Sequence, residues 1–395
     1  MSDQASLNFD DFSLAKGGAF FKLLILLRLT RPDLALTYRR AVFFSIFTWL
    51  PLLIFSILQG LAFGEACKIP FLYDFPISVR FLLCLPLLIV AEVTISSRAI
   101  AAVRHFVRSG LVEDKNVPAF DLIVRQISRM LDSFLAEGVI GAFVIFSAAF
   151  LRYEFSGASS TWQFLVSSSG ATRTLAGWWY VFVSVPIFQF LMYRWLWRYL
   201  TWCWFLWRTS RLDLQLIPTH PDRAAGLGFL GLTQVKFGII VFAFSSILAS
   251  QMGQEILFGE ASLVGYKVPI LGYIVLILIV FLGPLLAFSP KLFEVKRRGL
   301  LEYGVLANEY TRSFDRKWIR GEAPEGEALV GSADIQSLAD LGNSFEIIRE
   351  IQGVPFDLMT TIVPIVASAA IPFLPLILTV LPFDEIIKKI VGMLL

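Results

Sequence analysis

Seven runs of predominantly apolar residues, at about 41–63, 80–97, 136–152, 175–193, 235–252, 269–289 and 358–381, constrain this chain more than any other feature. A helix needs roughly 20 such residues to cross the hydrocarbon core of a bilayer. It must be a helix, because backbone N–H and C=O groups in hydrocarbon have no water to bond and have to be satisfied within their own segment. The seventh run contains Pro364, Pro372 and Pro375, so it is expected to be kinked, broken or re-entrant. Composition agrees: 56% of residues are apolar, 16% are charged and the mean hydropathy is +0.71. The expected fold class is therefore an all-α polytopic membrane protein of about seven membrane segments with amphipathic helices on one side.

The basic residues are placed unevenly. The N-terminal 40 residues and the segments 98–129, 194–236 and 291–349 together hold 27 Lys and Arg, whereas the alternate connections hold 5. By the positive-inside rule the N-terminus and the large loops lie in the cytoplasm. The opening residues lack the basic and apolar regions of a cleaved signal peptide, so the first span is expected to act as the insertion signal. A net charge of +3 is too small to argue for nucleic acid. Cys67, Cys84 and Cys203 are too scattered for a disulfide framework or a metal cluster.

This pattern divides the chain into four parts. Residues 1–40 form a cytoplasmic N-terminus in which GAFFKLLILLRL, 18–29, is too short to span and is expected to lie on the membrane with Lys22 and Arg28 toward headgroups. Residues 41–290 form a six-span region with cytoplasmic loops 98–135 and 194–234. The apolar stripe from Phe120 to Leu135 predicts a helix running straight into the third span. The fourth span is expected to continue past the membrane as YRWLWRYLTWCWFLWR. Seven of the ten tryptophans fall between Trp178 and Trp207, a density that predicts an interfacial belt. Residues 291–355 form a cytoplasmic segment of two amphipathic helices, the second N-capped at Ser332, which is expected to pack on basic extensions or on a protein partner. Residues 356–395 comprise the proline-broken segment and an interfacial C-terminal helix, FDEIIKKIVGMLL.

Two places carry candidate chemistry. Glu92 lies inside the second span about 9 Å from Arg98, given roughly 1.5 Å of rise per residue. A carboxylate at that depth costs a few kcal/mol unless paired, protonated or hydrated, so it is either a functional group or a structural ion pair. Gln189, Gln251 and Gln254 lie in or near spans and could line a cavity or tie helices. With Arg194 and Arg198 at the cytoplasmic mouth, Glu92 and Gln189 are the path candidates. The second place is THPDRAAGLGFLG, Thr219–Gly231. Gly226, Gly228 and Gly231 fit GxGxxG, but no strand precedes them, so the dinucleotide reading fails. His220, Asp222, Arg223, Gly226 and Gly228 remain as an anion or regulatory site, set against a plain loop in which Pro218, Pro221 and Asp222 cap the fifth span. One His and one Asp do not make a metal site, and no nucleotide, hydrolase or metalloprotease motif is present. No catalytic residue, metal or cofactor is expected.

The THPDRAAGLGFLG loop, the stretch GSADIQSLADLGNSFEIIREIQGVPF and the end IPFLPLILTVLPFDEIIKK resemble a widespread group of bacterial multipass membrane proteins. The resemblance spans most of the chain. It implies a bacterial inner-membrane location and transfers no catalytic or binding residue. The leading functional expectation is an ion channel or channel-like transporter that uses no ATP and assembles as a homo-oligomer. One alternative is a membrane enzyme gripping a lipid or isoprenoid phosphate through His220, Asp222 and Arg223. The other is a scaffold or signalling subunit that binds a cytoplasmic protein through 291–355.

Overall fold

A computed structural model describes residues 12–30, 36–151, 160–167, 170–259 and 261–379. It is an all-α polytopic membrane fold. The helices are α1 (Gly18–Leu26), α2 (Thr37–Leu58), α3 (Phe75–Arg108), α4 (Val117–Leu131), α5 (Phe134–Leu151), α6 (Leu175–Ser210), α7 (Phe229–Phe258), α8 (Leu263–Ile319), α9 (Ala333–Arg349) and α10 (Leu358–Thr379). Among the described residues seven helices are long and apolar enough to cross a membrane: α2, α3, the α4–α5 unit, α6, α7, α8 and α10.

Apolar side chains cover the outside of this bundle as well as its core. Val139, Phe143, Ile145 and Phe146 on α5, and Val268, Leu271, Leu276 and Ile279 on α8, are all exposed. Water would penalise such surfaces, and hydrocarbon does not. The bundle centres on α3 and α6, with α2 and α7 against α3, α4 and α5 against α6, and α10 against α7 and α8.

Proline shapes three of the membrane helices in one way. Pro86, Pro186 and Pro364 each follow directly on a wider π-helical turn, at Val79–Cys84, Tyr180–Ser184 and Leu358–Ile362. Proline lacks an N–H and its ring clashes with the carbonyl four residues back, and a wider turn relieves both. The α10 run adapts further: after Ala370 it tightens to 3₁₀ through Pro372 and Pro375, keeping helical geometry over 22 residues. The C-terminal helix expected beyond it lies outside the described residues.

Two local expectations are corrected. The helix expected to run unbroken into the third span is interrupted at Asp132 and Ser133, between α4 and α5, where the Asp132 carboxylate accepts from the Gly18 N–H at 2.9 Å. Part of the tryptophan run faces inward and does not form a belt. Trp195 and Trp202, seven apart on one face of α6, are buried and donate to Leu88 O at 2.8 Å and Gln234 Oε1 at 3.2 Å. The connection between α5 and α6 also holds a two-stranded antiparallel hairpin, β1 (Phe164–Ser167) and β2 (Gly170–Arg173), too short for its alternation to show in the sequence.

On the basic side, α8 extends well past the membrane and packs against α9. Tyr310 donates to Asp334 O at 3.0 Å, and Trp318 donates to the Asp334 carboxylate at 2.9 Å. Ser332 occupies the N-cap position of α9, but its hydroxyl makes no capping bond.

Candidate functional site

At the basic end of the bundle Glu92 is the hub of a buried ion cluster. Its Oε2 pairs with Arg40 Nη2, and its Oε1 accepts from Arg194 Nη1 and Arg198 Nη1, each at 3.0 Å. Arg194 and Arg198, four apart on α6, share a helix face and so reach one carboxylate. Arg194 also donates through Nε to Glu137 Oε1 at 3.0 Å and through Nη2 to Gly17 O at 3.1 Å, while Arg198 Nη2 donates to Ala15 O at 2.6 Å. The exposures of Arg40, Glu92, Arg194 and Arg198 are 2%, 2%, 3% and 3%, which puts the whole group out of bulk water.

The chain before α1 closes this cluster. Ser13 Oγ bonds Ser96 Oγ at 2.6 Å, Phe12 and Leu14 are buried, and the Phe20 N–H donates to Glu137 Oε2 at 2.8 Å. Gly18 makes the close approach possible: its φ is +84°, and a Cβ there would sit 2.2 Å from Glu137 Oε1. Residues 12–20 thus form a strap whose carbonyls complete the arginine coordination. Sequence reading found Glu92, Arg194 and Arg198 but missed Arg40, Glu137 and the strap. Arg40 and Glu137 sit at the margins of spans, where charges are ordinary and give no signal.

Toward the other end of the bundle lies a cavity of about 670 Å³, walled by α3, α6, α7, α8 and the segment 163–173. Arg80, Arg173, Gln163, Gln189, Gln251 and Tyr180 supply its main polar groups, and among the described residues no carboxylate lines it. Val185, Phe188, Met192, Phe244, Ile247 and Leu248 make most of the rest apolar. Arg80 lies on one π-turn and Tyr180 on another, and Arg80 Nη1 donates to Tyr180 Oη at 2.7 Å. The Arg80 Nε is buried without a hydrogen-bond partner. Arg173 stands over the Phe164 ring at 4.4 Å and the Trp178 ring at 5.5 Å. Gln189 Oε1 lies 2.8 Å from Ser147 Oγ, whose single hydroxyl proton also faces Val144 O at 2.8 Å. Asp74 is close enough for its charge to act on Arg80, but its oxygens are taken by Trp162 Nε1 at 2.8 Å and the Ile77 N–H at 3.2 Å. Of the other glutamine in this group, Gln254 ties helices together: its Oε1 accepts from the Phe75 N–H at 3.1 Å.

The path candidates therefore separate. Gln189 lines the cavity, whereas Glu92, Arg194 and Arg198 lie in the closed cluster beyond it. Met192, at the cavity, and Arg194, in the cluster, are two residues apart on α6.

The glycine-rich loop turns its polar groups on itself. Asp222 Oδ1 accepts from the N–H groups of Ala224 at 2.9 Å and Gly226 at 3.1 Å, and Oδ2 accepts from Gly228 N–H at 2.8 Å. His220 Nδ1 lies 2.8 Å from Asp222 Oδ1. Burial disfavours the Asp222 carboxylate, but the Gly228, Ala224 and Gly226 N–H groups and His220 outweigh it and hold the pKa below the ordinary value. Arg223 pairs with Glu350 at 3.0 Å, and its carbonyl accepts from Gln352 N–H at 2.9 Å, so the loop fastens the end of α9 to the bundle. Gly226 has a φ of +97° with Leu111 3.2 Å from where a Cβ would be. The N–H groups that could cradle an anion are thus occupied by the loop's own carboxylate. Among the described residues no group of three or more His, Cys, Asp or Glu is placed to hold a metal ion.

Compared with known proteins, the chain matches no family model, no curated protein and no solved structure. What the fold and its sites define is a class, the polytopic helical membrane protein.

Proposed function

We propose that the protein is a channel-like transporter of an inner membrane, driven without ATP, in which the cavity receives the solute and the Glu92 cluster with its strap shuts the cytoplasmic end. The single observation behind this reading is the succession along α6 of a largely apolar cavity with a few polar groups down to Met192 and a sealed ion cluster from Arg194 onward. A cavity on one side of a dehydrated closure is the arrangement expected of a conduit caught shut. Two π-turns at the cavity wall fit the same reading, since such turns recur at functional sites.

The enzyme alternative draws less support, because His220, Asp222 and Arg223 already hold the loop or its neighbours. The scaffold alternative rests on α9 and the outer part of α8, which pack on each other. The test is ion efflux from liposomes carrying the full chain or a chain starting at residue 21, which removes the strap. Wild-type protein is expected to pass little and the shortened chain much more. Sealed vesicles with both forms correctly folded would remove the conduit reading.

A further inference from the structure

The strap runs without a break into α1, and α1 is apolar on both of its faces. Phe21 and Leu24, three apart, are buried, while Leu23, Leu26 and Leu27 on the other side are exposed, Leu26 to 79%. Phe20 packs on Phe44 of α2 and Phe190 of α6, with ring centroids 6.4 and 5.0 Å away, and Lys22 Nζ stands 4.6 Å over the Phe134 ring of α5. The helix therefore lies on the flank of the bundle, where its exposed leucines continue the apolar surface of Phe134, Leu135 and Val139 that faces hydrocarbon. Lys22 and Arg28, both exposed, border those leucines at the end of the bundle that gathers basic charge. Leucines flanked by basic residues at the edge of a lipid-facing surface suit the boundary between headgroups and acyl chains.

The same helix is tied to the closure by its first turn. The Gly18 and Phe20 N–H groups are held by Asp132 and Glu137, Glu137 also accepts from Arg194 Nε, and the carbonyls of Ala15 and Gly17 accept from Arg198 and Arg194. Arg194 and Arg198 in turn hold Glu92. These hydrogen bonds to the strap and α1 are lost beyond about 3.5 Å, so a displacement of α1 on the order of 1 Å unfastens the strap. We infer that α1 is a sensor of the cytoplasmic leaflet: seated at the headgroup boundary, it is drawn further into the lipid when the bilayer is stretched and takes the strap off the arginines. Stretch parts the headgroups and uncovers hydrocarbon, and the hold of an interfacial helix grows with the apolar area it buries there. The inference rests on the reading of the strap as the cytoplasmic closure and names the stimulus that releases it.

Two measurements on the full-length chain in vesicles of phosphatidylcholine and phosphatidylglycerol test it. One is ion efflux with and without an osmotic downshift. The other is maleimide labelling of a buried strap position, Ser13→Cys, in a chain whose Cys67, Cys84 and Cys203 are replaced by alanine. The downshift is expected to raise both several-fold. Leu23→Ser with Leu26→Ser and Leu27→Ser, all at exposed positions that leave folding undisturbed, should abolish both responses, while the chain starting at residue 21 should leak without a downshift and gain little from it. A dye on Leu26→Cys in the same cysteine-free chain should be quenched by spin-labelled phosphatidylcholine. A dye that lipid does not quench means that protein covers this face and overturns the inference, as do a strap whose labelling ignores the downshift and a serine variant that responds like the native chain. Efflux from the shortened chain beside an unresponsive full-length chain leaves the conduit standing and removes the sensor. Labelling that rises with stretch while no form passes ions leaves the sensor standing and removes the conduit.

Discussion

The two arginine-bearing regions of this bundle differ in what surrounds the guanidinium groups. At the basic end Arg40, Arg194 and Arg198 share Glu92, Glu137 and two strap carbonyls. At the other, Arg80 donates to the Tyr180 phenol with Asp74 near enough for its charge to act, and Arg173 stands over two aromatic rings at the wall of a cavity. Buried charge bound to partners on several elements holds a structure in one arrangement, because removing a partner leaves a charge uncompensated. Arginine at the wall of a cavity is instead within reach of whatever occupies it. The first region thus behaves as a lock and the second as a receptor, although the residue type is the same.

That contrast is most exposed to a change at the hub. Glu92→Gln removes the charge that three buried guanidiniums share and is expected to cost about 3–5 kcal/mol of stability, the scale for breaking a buried ion pair. Unfolding of purified protein in detergent measures it. A loss below 1 kcal/mol would mean that the cluster is hydrated and is no lock. The receptor side is held by packing. Gly177, in the first turn of α6, has the Gln163 carbonyl 2.4 Å from where a Cβ would stand, so Gly177→Ala should cost about 1–3 kcal/mol and disturb the cavity rim. A drop in melting midpoint is the expected reading.

The glycine-rich loop is a second paired site and should behave like a small lock. Asp222→Ala leaves three N–H groups uncapped and is expected to cost about 1–2 kcal/mol at neutral pH. Because the Asp222 pKa is depressed in the folded protein, its contribution is complete above the unfolded value, about 3.9, and is lost as pH falls through the lower folded value. Wild-type and variant stabilities measured between pH 7 and 3 should therefore converge only at the acid end. A gap that closes near neutrality would assign the effect to another group. The smallest effect belongs to the exposed pair of Arg223 and Glu350, where Arg223→Ala should change stability by about 1 kcal/mol or less.

Much of this protein was legible before its fold, and the illegible part has a common cause. The membrane helices appear because spanning demands a continuous apolar run, which is local in sequence. Glu92 and Gln189 stood out because polar groups are rare inside such runs. Arg80 and Arg173 did not, since arginine at the margin of a span is ordinary, and the role of Asp222 was legible only as one alternative. The π-turns had a visible signal in Pro86, Pro186 and Pro364, but a proline alone does not say which side of the helix widens.

The sequence by itself determined the solvent this chain folds in, the approximate limits of its helices and the end of the bundle that gathers basic charge, because hydropathy and charge act residue by residue. Only the tertiary structure decided which charges meet. Arg40 and Glu92 are 52 residues apart, Arg194 and Glu92 are 102 apart, and Arg80 and Tyr180 are 100 apart. A charge becomes lock or receptor according to the partners that helix packing brings within about 3 Å, and packing is a property of the whole bundle that no single segment encodes.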